Sequence, residues 1–164
     1  MKKIFTIFFI VVGLILSSTG IVHADSLMLT ASDFVPGIPN YPNLDCYIGW
    51  DLYINTGITY RYFFAPFHLP KGAQINSIVM YYQDNSTGYI NLQMERRNMI
   101  TLAVHDMADW STSGEVSGLQ NHKISPISYR TINTEGYTYW IALYYSDVGS
   151  ELTVYGVKIN YIIP

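Results

Sequence analysis

An all-β fold, an antiparallel sandwich with jelly-roll-like connections and eight or nine strands, is predicted for residues 25–164. Three observations predict it. No ten-residue stretch of that region repeats its apolar residues with a period of 3.6. Turn signals built from Gly, Pro, Asn and Ser recur along it at the spacing of short strands. Its aromatic content is high, with all fifteen tyrosines lying beyond residue 24, and aromatic side chains pack well on pleated surfaces.

The chain opens with Met1-Lys2-Lys3, then an apolar run of 13 residues from Ile4 to Leu16. Ser17, Ser18, Thr19 and Gly20 lead on to Val22-His23-Ala24. A basic start, an apolar middle of roughly 7–15 residues and a small residue at the cut site make a secretory signal. The expected cut lies between Ala24 and Asp25, with Val22 and Ala24 in the shallow peptidase pockets. The run is too short for a spanning helix, which needs about 20 apolar residues. The expectation is a secreted or cell-envelope protein with no membrane partner after cleavage. No cysteine follows the apolar run to take a lipid, because Cys46, the one cysteine, lies well inside the domain. Cys46 therefore reads as a buried small hydrophobe, or as a site for pairing between chains.

Residues 25–164 form one domain, long enough to bury a single core. They carry seven Lys plus Arg against twelve Asp plus Glu, a net charge of about −5. Scattered cations on an acidic chain give no grip on phosphate backbones, so nucleic acid is not expected as a partner.

The strands read as follows. Leu27 to Val35 is extended, and Pro36 to Asn43 is a loop by composition. Cys46 to Ile54 is a second strand, and the aromatic stretch Ile58 to Leu69 a third. Pro66 inside it calls for an edge or a bulge, since proline donates nothing to a ladder. Leu69-Pro70-Lys71-Gly72 turns the chain into Ala73 to Gln83. Asp84 to Gly88 is a loop, and Tyr89 to Arg96 returns as an expected hairpin partner. There Ile90, Leu92 and Met94 alternate with Asn91, Gln93 and Glu95, the clearest half-buried pattern in the chain. Ile100 to Val104 reads as a strand, Asp106 to Gln120 as a polar connection, and Ile124 to Ile132 as extended. Tyr137 to Tyr145 and Leu152 to Ile163 read as a final pair. The apolar parity of the last strand switches at Gly156, as at a β-bulge.

Three segments carry a resemblance: Leu69-Pro70-Lys71-Gly72-Ala73-Gln74-Ile75, Tyr81-Tyr82-Gln83-Asp84, and Leu152 to Tyr161. Together they resemble an LPxGAxI, YYxD and LxxYGVxIxY pattern of small exported bacterial β-sandwich proteins of unassigned function. The resemblance spans residues 60 to 163. It implies the sandwich architecture and export, and no catalytic residue.

No catalytic constellation emerges. His68, His105 and His122 stand outside any nucleophile motif, and G-x-S-x-G is absent. His105 and Asp106 are neighbours, and adjacent strand residues face opposite sides. The oxygen-rich Asp84 to Gly88 loop lacks the repeated acids of a calcium loop and reads as a polar turn. No cofactor is expected, and cysteine and histidine spacing forms no zinc pattern. Trp110, in a polar stretch, reads as a lid on the core or as an exposed platform. With Tyr82 and Tyr144 it makes the candidate ligand-binding set, since aromatic faces near amides and carboxylates suit sugar rings. The expected function is a non-catalytic exported binding module for an extracellular carbohydrate or protein ligand. Alternatives are a structural or protein-interaction subunit of a surface assembly, or a small secreted hydrolase using two carboxylates.

Overall fold

A computed structural model of the chain describes residues 23–37, 45–56, 61–114 and 116–164. The apolar run of the leader, the Pro36 to Asn43 loop beyond Gly37, and the Cys46 side chain lie outside the described residues.

Among the described residues, eleven strands form two antiparallel sheets that pack face to face, a β-sandwich as the sequence predicts. β1 is His23–Thr30, followed by a single 3₁₀ turn, Ala31–Asp33, and the two-residue β2, Val35–Pro36. Next come β3 (Asp45–Ile48), β4 (Leu52–Thr56), β5 (Tyr62–Phe67) and β6 (Gln74–Asp84). The remainder are β7 (Ile90–Asn98), β8 (Val104–Ser111), β9 (Val116–Ile124), β10 (Tyr137–Tyr145) and β11 (Leu152–Ile163). The six-stranded sheet runs β3-β4-β11-β6-β9, with β1 also on β11, and the five-stranded sheet runs β2-β5-β10-β7-β8. The count exceeds the expected eight or nine because single expected runs divide. Leu27 to Val35 breaks at the 3₁₀ turn, and Cys46 to Ile54 folds back on itself as the β3–β4 hairpin.

Alternation makes the core. Ile90, Leu92 and Met94 of β7 are fully buried, as are Ile141, Leu143 and Tyr145 of β10. Facing them from the other sheet are Ile75, Ile78 and Met80 of β6, with Leu152, Val154, Val157 and Ile159 of β11. The parity change at Gly156 is a register shift between Val154 and Gly156 against β6. A Cβ on Gly156 would lie 2.8 Å from the Leu29 carbonyl oxygen of β1, so only glycine lets β1 approach here. Pro66 sits where β5 is locally an edge: β2 pairs only with Phe63 and Phe64.

Two expected hairpins are corrected. β6 and β7 belong to different sheets, and so do β10 and β11. The loops Asn85 to Tyr89 and Ser146 to Glu151 are sheet-to-sheet crossings that lie side by side. Tyr89 and Ser146 exchange two hydrogen bonds: the Tyr89 N–H to Ser146 Oγ at 2.6 Å, and the Ser146 N–H to the Tyr89 carbonyl at 2.9 Å. The Asn85 N–H donates to the Glu151 carbonyl at 3.0 Å. Alternation shows which face is buried, and that pattern is the same for a hairpin and for a crossing.

The middle of the chain is corrected too. Ile100 to Val104 is mostly the turn between β7 and β8, with only Val104 in a strand. Asp106 to Gln120 contains most of β8 and half of β9, and both are edge strands whose solvent faces disguise them as loop. Between Ile124 and Ile132 the chain leaves the sheet and meets it again at a single bridge, Thr131 to Gln74, instead of forming the expected extended run.

Candidate functional site on the five-stranded sheet

Residues that alternate with the buried set of β5, β10, β7 and β8 form the outer face of the five-stranded sheet. Register places them in rows: Tyr62, Tyr144, Asn91 and Ser111; Phe64, Ala142, Gln93 and Asp109; Pro66, Trp140, Glu95 and Asp106. Aromatic side chains thus fill the β5–β10 half and amides and carboxylates the β7–β8 half. All but Ala142 are half-buried or exposed.

The aromatic half is continuous. The Tyr62 ring lies 4.8 Å from that of Tyr144 and 6.4 Å from that of Phe64, nearly parallel to the latter at 11°. Tyr89, from the crossing loop, adds a ring 6.1 Å from Tyr144. The small, buried Ala142 lets the larger rings around it lie low against the sheet.

The polar half is hydrogen-bonded to itself. The Asn91 amide donates to Asp109 Oδ1 at 2.6 Å and to Ser111 Oγ at 3.1 Å. Trp140 Nε1 donates to Glu95 Oε2 at 2.5 Å, joining the two halves. Burial pushes the Glu95 carboxyl above the ordinary carboxylate range; the Trp140 hydrogen bond opposes this, and the charges of Asp106 and Asp109 add to it. Next to Pro66 lies a cavity of about 180 Å³, lined among others by Phe67, His68, Leu69, Thr138 and Tyr139.

The sequence-expected site residues separate. Tyr144 lies on this face. Tyr82 of β6 and Trp110 of β8 point the other way, into the seam between the sheets, and pack against the core. Their rings are 5.6 Å apart, and Trp110 stacks on His122 of β9. Trp110 is therefore a strand residue, not a loop residue. Burial, then the charge of Asp84, raises the Tyr82 phenol above its usual range. The Asp84 carboxylate is itself nearly fully buried and ties the end of β6 to the connection between β8 and β9: it accepts from the Thr112 hydroxyl and, at 3.1 Å, from the Gly114 N–H. His105 and Asp106 diverge as adjacency requires, His105 toward the Tyr129 ring and Asp106 onto the outer row.

Sequence reasoning missed Tyr62, Phe64, Trp140 and Glu95 as one set. Their alternation was legible, but the pairing of β5 with β10 and of β10 with β7 was not.

No family model matches the chain, and no curated protein matches it. Among solved structures, it is similar to a family 11 carbohydrate-binding module from Clostridium thermocellum in complex with a beta-1,3-1,4-mixed-linked tetrasaccharide. The identity is 12% and the TM-score 0.38, covering 89% of this chain and 91% of that one. It is also similar to modules of Clostridium thermocellum endo-1,4-beta-D-xylanase 10B complexed with xylohexaose. There the identity is 8% and the TM-score 0.37, covering 86% of this chain and 25% of that one. TM-scores this low carry no inference about a ligand.

Proposed function

We propose that this protein is an exported, non-catalytic carbohydrate-binding module that takes its ligand on the outer face of the five-stranded sheet. One observation carries the reading: a partly exposed aromatic row, Tyr62, Phe64, Tyr144 and Trp140, lies directly beside a hydrogen-bonding row, Asn91, Gln93, Glu95 and Asp109. A pyranose ring has an apolar C–H face that stacks on aromatic carbon and a rim of hydroxyls that pair with amides and carboxylates. A ligand lying across the strands meets both rows at once. The leader supports export.

A glycan array followed by titration against the best hit tests the reading. Trp140→Ala and Tyr62→Ala should each weaken binding, whereas Trp110→Ala should leave the affinity of the folded fraction unchanged. Absence of binding to every glycan overturns the reading, and so does equal loss from the seam and the outer face.

A second reading, a subunit of a surface assembly, is favoured by β9. Among the described residues that strand pairs only with β6, and Val116 and Leu119 on it are exposed. A free strand edge is a template for a second chain. Sizing of the purified protein under reducing and oxidising conditions separates the two readings.

A further inference from the structure

We propose that the turn between β7 and β8 is an insertion tip for an anionic lipid surface. It is independent of the sugar-binding reading and lies at one end of the sandwich.

The turn exposes Met99, Ile100, Leu102 and Val104 in the space of six residues, with Ile100 88% exposed. A turn exposed to water is ordinarily built from Gly, Asn, Asp or Ser. Here one such residue, Asn98, does the turning: its side-chain oxygen accepts from the Ile100 N–H at 2.8 Å and the Thr101 N–H at 2.9 Å. The backbone closes with Asn98 N–H to the Ala103 carbonyl and Leu102 N–H to the Asn98 carbonyl, both 2.9 Å. The Met99 N–H is anchored on the Gly136 carbonyl. The tip is therefore preorganised, and its apolar side chains project from a held backbone.

Leu102 is the telling residue. It adopts φ 60°, the left-handed region that favours glycine, and is 55% exposed. A leucine here strains the backbone and buries little in return. Glycine would adopt this φ without strain, and strained backbone clusters at functional sites.

What lies behind the tip identifies its partner. The Arg96 guanidinium is held between two rings, 3.9 Å from the Tyr129 centroid and 4.3 Å from that of Tyr137. Arg97, the next residue of β7, is exposed on the opposite face of that strand, and Arg130 follows Tyr129 in the chain. Three of the seven cations of residues 25–164 thus belong to the segments at this end, with the Glu95 and Asp106 carboxylates one register pair away. His105 packs on Tyr129 as well, and the acid of the neighbouring loop, Glu135, is paired with Lys71 at 2.5 Å. An apolar tip backed by tyrosines and arginines matches the layers of a membrane interface: acyl chain, then the amphipathic boundary, then anionic headgroups. The leader alone underlies the sequence expectation of no membrane partner; this tip lies elsewhere in the chain.

The test is co-sedimentation of the exported protein, its N-terminus established by mass, with phosphatidylcholine vesicles with and without phosphatidylglycerol. Binding is expected to the anionic vesicles and to fall as salt rises. Leu102→Gly should weaken it severalfold while thermal stability holds or increases, an outcome that misfolding cannot imitate. Arg97→Gln should weaken it about fivefold. In Ile100→Trp, indole emission should shift to the blue on vesicle addition. Failure to bind either vesicle overturns the proposal, as does binding that Leu102→Gly leaves unchanged. Self-association that Leu102→Gly abolishes would assign the tip to a second copy instead and equally overturn it.

Discussion

The Trp110 indole lies flat on the His122 imidazole, with centroids 4.1 Å apart and planes within 5°. Trp110 is on the edge strand β8 of one sheet and His122 on the edge strand β9 of the other. The stack closes the sandwich along one side, where no backbone ladder among the described residues joins the sheets. Trp110→Ala should lower unfolding free energy by about 2–3 kcal/mol, below the cost for a fully buried tryptophan because the ring is half-exposed. Chemical denaturation measures it, and a change under 0.5 kcal/mol, about the range of surface substitutions, would remove the seam from the account.

Trp140 serves differently, by facing out. Trp140→Ala should cost about tenfold or more in glycan affinity, a change of about 1.4 kcal/mol. It should also free Glu95 from its hydrogen bond. Isothermal titration of the wild type and the variant, with the melting temperature as a control for folding, separates binding from stability.

Glu95 sets an expectation for pH. Its carboxyl is raised in the folded chain, chiefly by burial, so the folded state holds its proton to higher pH than the unfolded state. The sign follows: the contribution to stability is full below the ordinary carboxylate value of 4.5 and is lost as pH rises through the folded value. Glu95→Gln should therefore flatten the stability profile in the weakly acidic window above that value. Denaturant midpoints collected from pH 4 to pH 7 read it out, and an identical slope in both proteins would refute the assignment.

Asp84 is the polar rivet between the end of β6 and the connection from β8 to β9. Asp84→Ala leaves the Thr112 hydroxyl and the Gly114 N–H without their acceptor, at a cost of about 2–4 kcal/mol. Hydrogen exchange should then quicken first in the loops around Ser86 and Gly114. Uniform acceleration over the whole chain would argue against a local role.

Gly156→Ala tests the close approach of β1. Its Cβ would stand 2.8 Å from the Leu29 carbonyl, so β1 must move or detach, with a loss of about 1–3 kcal/mol. The same strand bears on processing. A cut after Ala24 removes the first two of its register pairs and leaves Asp25 opposite Tyr161, whose hydroxyl donates to it at 3.2 Å. Mass spectrometry of the exported protein should find Asp25 at its N-terminus.

The legible parts of this fold were those with one buried face. β7 shows it best, where Ile90, Leu92 and Met94 sit inside as their alternation requires. The bulge at Gly156 was legible because a one-residue insertion flips the parity of everything after it. β8 and β9 were illegible because edge strands carry polar residues on the side that meets water. The apolar turn from Met99 to Val104 misled in the opposite sense, since hydrophobicity there reflects exposure on a tip and not burial in a strand.

By itself the sequence determined an all-β fold and the side of each clear strand that faces inward. Those follow from contacts between near neighbours and from the two-residue repeat of the pleat. Only the tertiary structure decided that β6 hands over to the opposite sheet, that Tyr82 and Trp110 meet in a seam, and that Tyr62, Trp140 and Glu95 share a face with Tyr144. Such neighbours are brought together by strand pairing across long separations in the chain. Alternation encodes which face of a strand is buried; which strand lies beside it is settled by how the whole core packs.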